Sequence, residues 1–148
     1  MTNRRFQFKL EPIRALRKDA EQAVMRQLAG ELAAVEVLRS ELQLAEALLA
    51  QAHRPPEGLM TAQELAARQL YAERLERERA EAEARVLRQE GYVDQTRRRL
   101  AEASRKRSTL DQLESRRRAV HEAEMRRVEA IEGNELSLLN HLRSELVS

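Results

Sequence analysis

The chain has no cysteine and no tryptophan, and only two Phe, two Tyr, three Pro and four Gly among 148 residues. Each scarcity excludes something. Without Cys there is no disulfide, no thiolate nucleophile and no thiolate ligand for a metal, and the chain suits a reducing compartment. The dispersed glycines form no phosphate-cradling loop. His53, His121 and His141 are scattered, and one His beside Glu124 or Met125 does not make a metal site. Ser104, Ser108 and Ser115 have no His and Asp arranged to activate them. Carboxylates such as Glu81 and Glu83 read as solvated helix decoration. Enzyme activity is not expected, and no catalytic residue, metal ligand or cofactor is assigned.

Long apolar runs are missing too. No stretch of about 18 apolar residues occurs, so no transmembrane span is expected. The first residues are charged with no apolar stretch behind them, which does not read as a secretory signal. A cytoplasmic protein is expected.

What is present is helix material. Ala, Glu, Lys, Leu and Arg make up roughly 63% of the chain, a share that with helical periodicity points to a long helix or coiled coil. The net charge of +2 hides blocks. Residues 1–18 carry six Lys/Arg against one Glu, and residues 19–94 carry nine against fifteen acidic groups. Residues 97–118 return to nine against three, and residues 119–148 carry three against six.

Proline sets the boundaries. Pro12 suits the first turn of a helix and pushes Glu11 toward an extended conformation. Apolar positions then run Ile13, Leu16, Ala20, Val24, Leu28, Leu32 and Val35 with a step near 3.67, and Val35, Leu38, Leu42, Ala45 and Leu49 with a step of 3.5, a heptad seam. Gly30 interrupts the helix without breaking it. Pro55–Pro56 and Gly58 end it. Thr61 and Glu64 have capping-box spacing, and Met60 and Leu65 have that of a hydrophobic staple. The second stripe is thinner: Leu65, Ala72, Leu75, Ala82, Val86, Val93, Leu100, Ala103, Leu110, Leu113, Val120, Val128 and Ile131. Arg79, Gln89 and Thr96 stand in it where apolar residues are expected. Gly133–Asn134 is the next expected break, followed by Leu136, Leu139, Leu142 and Leu146 on one face.

The expected fold is all-α: an antiparallel two-helix coiled-coil hairpin with unequal helices, in a single domain over 1–148. An extended arm occupies 1–11, helix 1 spans 12–53, a turn 54–60, helix 2 61–132, and a C-terminal helical segment 133–148. A fold centred on residue 57 sets residue i against about residue 114 − i, so that Ile13 lies near Ala101 and the chain beyond about residue 103 overhangs unless the arm runs along it. The basic blocks 1–18 and 97–118 then meet at the open end, and opposite charge at two ends suits an oriented encounter with two partners.

Nucleic acid is not an expected partner. The triplets Arg97–Arg98–Arg99, Arg105–Lys106–Arg107 and Arg116–Arg117–Arg118 wrap the helix instead of lining one stripe. No aromatics interleave to stack bases, and phosphate contact alone is salt-sensitive.

The N-terminal stretch RRFQFKLEPIRALR holds basic residues, F-x-F-x-L, then Glu-Pro and a helix with Arg three apart. Its positions are Arg4, Arg5, Phe6, Phe8, Leu10, Glu11, Pro12, Arg14 and Arg17. It resembles the opening signature of the FliJ family of flagellar export proteins and its counterparts in related type III secretion systems. GNELSLLNHLR near the C-terminus resembles the family's D-E-L followed by a basic or His-containing end, with Asn134 where Asp is more usual. The resemblance implies an antiparallel two-helix coiled coil similar to the rotor stalk of F-type ATPases. It implies association with the hexameric export ATPase and its regulator, contact with the export-gate membrane protein at the cytoplasmic face of the inner membrane, and handling of substrate chaperones. A non-enzymatic stalk is the reading; a generic cytoplasmic adaptor or scaffold, or the stalk of a virulence-type system, is the alternative. An elongated monomer is expected. Candidate partner-binding residues are Arg4, Arg5, Phe6, Phe8, Leu10, Arg14, Arg97, Arg98, Arg99, Arg105 and Arg107.

Phe6 and Phe8 share one side of an extended arm with Leu10. They suit either a clasp over helix 2 near Leu110 and Leu113, or an anchor into a partner, where aromatics and Arg dominate binding energy.

Overall fold

The computed structural model describes residues 5–148, and these contain two helices and no strand: α1, Glu11–Ala52, and α2, Ala62–Val147. The chain is all-α, with helices of 42 and 86 residues in contact. Leu10 flanks the start of α1, its carbonyl accepting the Arg14 amide at 2.9 Å, and the Glu11 amide donates to the Phe8 carbonyl at 3.1 Å. Pro12 sits in the first turn, where a missing N–H leaves no intrahelical bond unmade. After Ala52 the chain turns through Pro55–Pro56 and Gly58, whose φ of 99° lies in the left-handed region. The α2 capping box forms: the Glu64 amide donates to Thr61 Oγ1 at 3.2 Å, and Glu64 Oε2 accepts from the Thr61 amide at 3.0 Å.

One boundary differs from the sequence reading. α2 runs without interruption through Gly133–Asn134 to Val147. A lone helical Gly costs only about 1 kcal/mol relative to Ala. No proline follows it, and the segment is rich in Leu and Glu, which favour helix.

The residues group into two compact units. The first is Glu21–Ala103. It contains every buried side chain of the described residues: Val35, Ala72, Leu75, Ala82, Val86, Val93 and the polar Thr96. Here Arg39 Nη2 lies 2.8 Å from Glu90 Oε1, and Gln89 Nε2 donates to the Glu31 carbonyl at 3.4 Å. Arg99 Nη1 donates to Gln27 Oε1 at 3.3 Å, and His53 Nε2 lies 3.5 Å from Glu76 Oε1. Numbers fall along α2 as they rise along α1, with residue i facing one near about 125 − i. The expected register of about 114 − i is therefore shifted. The cause is the connection: Arg68 Nη2 donates back to the Ala52 carbonyl at 3.3 Å, and His53 reaches Glu76, so the first turns of α2 lie beside the turn and not beside α1.

The covered face of α1 also differs. Ile13 and Leu16 are exposed, as is Leu32 at 39%. Apart from Ala34 beside Val35, the less exposed positions are Arg14, Glu21, Val24, Leu28, Glu31, Val35, Leu38, Leu42, Ala45, Leu49 and Ala52. They keep heptad spacing throughout, so the 3.67 step of the first apolar residues does not set the contact face. α2 keeps the same spacing through Arg68, Ala72, Leu75, Arg79, Ala82, Val86, Gln89, Val93, Thr96 and Leu100. Arg79, Gln89 and Thr96 thus hold inward positions, while Leu65, Val120 and Ile131 stay exposed.

The second unit joins residues up to Ala20 with Ser104–Ser148. It has no buried residue among those described, and from Glu129 onward every side chain is exposed.

Candidate functional site

In the second unit the arm lies along α2. Exposure alternates: Arg5, Gln7 and Lys9 are exposed, while Phe6, Phe8 and Leu10 are half-buried. This is the period of an extended chain with one side against a surface. The Arg118 guanidinium sits 4.8 Å from the centre of the Phe6 ring, and that of Arg117 lies 5.8 Å from the Phe8 ring. The Phe6 and His121 rings are 5.6 Å apart and tilted by 52°. Cations over ring faces at these distances are attracted by the ring quadrupole, about 0.5–1 kcal/mol each at exposed sites. A groove of about 350 Å³ opens beside Phe6, lined by His121, Met125 and Glu129 among others.

One turn into α1, Arg14 Nε donates to Asp111 Oδ1 at 2.8 Å. Arg107 Nη1 donates to the other oxygen of Asp111 at 2.6 Å. The hydrogen bond from Arg14 holds the Asp111 carboxyl below the usual carboxylate range, against partial desolvation, with Arg107 adding to it. The same bond, with a second to Glu11, pushes Arg14 further up. The Arg14 stem lies in the covered face, while Ile13 and Leu16, the expected stripe residues, are exposed.

The candidate residues therefore fall into two groups. Phe6, Phe8, Leu10, Arg14 and Arg107 line the arm contact, with Arg5 and Arg105 exposed in the same unit. Arg97, Arg98 and Arg99 belong to the other unit and are exposed; Arg97 lies 3.9 Å from Asp94, and Arg99 bonds Gln27. Arg4 lies outside the described residues. The clasp position is corrected by the register shift: the rings sit against Arg117, Arg118 and His121, beyond the expected Leu110 and Leu113. Sequence reading missed Asp111 and His121 as arm-side residues. Asp111 stands opposite Arg14 where the observed register of about 125 − i sets it, and no residue pattern in the sequence points to either.

No protein-family model matches the chain, and no curated protein or solved structure is similar to it at a significant level. Among the described residues no group of three or more His, Asp or Glu side chains is placed to hold a metal ion. No helix among them is long and apolar enough to cross a membrane.

Proposed function

We propose that the chain is an antiparallel two-helix coiled-coil hairpin acting as a non-enzymatic stalk of a flagellar type III export apparatus, a member of the FliJ family. In this reading it works in the cytoplasm, peripheral to the inner membrane. It binds the hexameric export ATPase and its regulator, meets the export-gate membrane protein, and assists substrate chaperones. The carrying observation is the RRFQFKLEP stretch, whose three apolar residues line one side of an arm that leads into α1 at Glu11–Pro12. The heptad spacing on both helices and the opposed numbering of their contacts support the coiled-coil part. Exposed Arg97, Arg98 and Arg105 suit polar contacts that form and release.

The test is reconstitution with the cognate export ATPase. The purified chain should co-elute with it and raise its rate of hydrolysis. A deletion strain should lose swimming in soft agar and regain it with the wild-type gene. Complementation should fail with Phe6→Ala/Phe8→Ala or with Glu at residues 97–99. Unchanged ATPase assembly and unchanged hydrolysis would remove the proposal, and motility without the gene would do so independently.

A further inference from the structure

The last turns of α2 carry an apolar face that no described residue of the second unit covers. Leu136, Leu139, Leu142 and Leu146 are 62%, 57%, 47% and 86% exposed. Single exposed leucines are ordinary, but several on one face of one helix make a patch of the kind that marks an interaction surface.

The patch continues an interface that already exists. Upstream, the face of α2 turned toward the arm is marked by half-buried His121, Met125 and Val128. Steps of seven from His121 lead through Val128 and Glu135 to Leu142. Steps of seven from Met125 lead through Glu132 to Leu139 and Leu146. The Leu139, Leu142 and Leu146 face is therefore the same helical line, extended past Val128. Its spacing of i, i+3 and i+7 is that of helix-to-helix anchors.

Charge selects the occupant. Residues 128–148 hold four Glu, at 129, 132, 135 and 145, against the single Arg143, net −3. Glu129 and Glu145 fall on the two flanks of the apolar line, where they would meet the flanking residues of an incoming helix, while Glu132 and Glu135 fall on the line itself. A second copy set against this face in register brings the same four carboxylates and is repelled. An apolar stripe flanked by Lys and Arg is matched on both counts.

We propose that residues 135–147 of α2 dock a basic amphipathic helix of another protein, which continues the covered line beyond the arm. The proposal does not depend on the export reading, since it needs neither the ATPase nor the arm.

The probe is a synthetic helical peptide of three heptads with Leu at the seam positions and Lys and Arg on the flanks, titrated by calorimetry into the full-length protein. Two controls are a scrambled peptide of equal composition and the same Leu pattern with Glu flanks. The basic peptide should bind, more weakly as salt rises. The Leu139→Ala/Leu142→Ala variant should weaken binding at least about tenfold. Ala keeps helix propensity, so circular dichroism should show unchanged helicity. The scrambled and Glu-flanked peptides should fail to bind. Equal binding of the scrambled peptide, or of the basic peptide to the Ala variant, would overturn the proposal. So would a dimer in sedimentation equilibrium that the Ala variant abolishes, because a second copy would then be the occupant.

Discussion

Asp111 accepts from two arginines brought to it from different helices, one at 2.8 Å and one at 2.6 Å. Its pH signature has a definite sign. A carboxyl whose pKa is lower folded than unfolded stabilises the fold above its unfolded value, near 3.8, and that contribution vanishes as pH falls through the lower folded value. The Asp111 and Arg14 side chains remain about one-third exposed, so screening keeps the effect small. Asp111→Asn should lower the melting temperature by about 1–3 °C at pH 7. The gap from wild type should close as pH falls below the ordinary carboxylate range. An equal gap at pH 2 and pH 7 would mean that the residue acts through packing alone. His121 teaches the complementary lesson. As one of three scattered histidines it carries no signal in the sequence, and only its placement against Phe6 gives it a role.

At the scale of elements, much was legible and the misses share one origin. The helix starts at Glu11–Pro12 and Thr61 are local, written in proline chemistry and a capping box, and a sequence shows local chemistry directly. The register is not local. It depends on how many turns of α2 the connection passes before α1 is met, and no residue pattern encodes that count. The inward place of Arg14 was hidden for the same reason, since its long polar side chain enters the seam to meet a specific partner, Asp111. Glycines test the helices directly. A Cβ added at Gly30, Gly91 or Gly133 meets nothing within 4 Å. Each change to Ala should stabilise by about 0.5–1 kcal/mol, read as a higher urea midpoint. Gly58→Ala should do the reverse, because its φ of 99° disfavours a side chain. A stabilising Gly58→Ala would show that the turn re-forms around a different backbone.

Across the whole molecule, packing is unevenly shared. All seven buried residues among those described belong to the unit Glu21–Ala103. Local opening follows burial. Amide hydrogen exchange should therefore be slowest around Val35, Val86 and Val93. It should be intermediate where the arm meets Arg117 and His121, and fastest beyond Glu129. Phe6→Ala/Phe8→Ala should accelerate exchange near residues 113–125 and leave the region of Val86 unchanged. Acceleration spread evenly along α2 would show instead that the chain opens as one cooperative body.

The scarcity of buried apolar residues also governs how the protein responds to temperature. Heat capacity rises on unfolding chiefly because apolar surface meets water, by about 12–15 cal/mol/K per residue in ordinary globular proteins. A fold in which six hydrophobic side chains are buried has little such surface left to expose. Its heat-capacity increment per residue should fall below that range. The stability curve is then shallow: cooling weakens the fold little, cold denaturation recedes, and heating melts it over a broad interval with a small enthalpy.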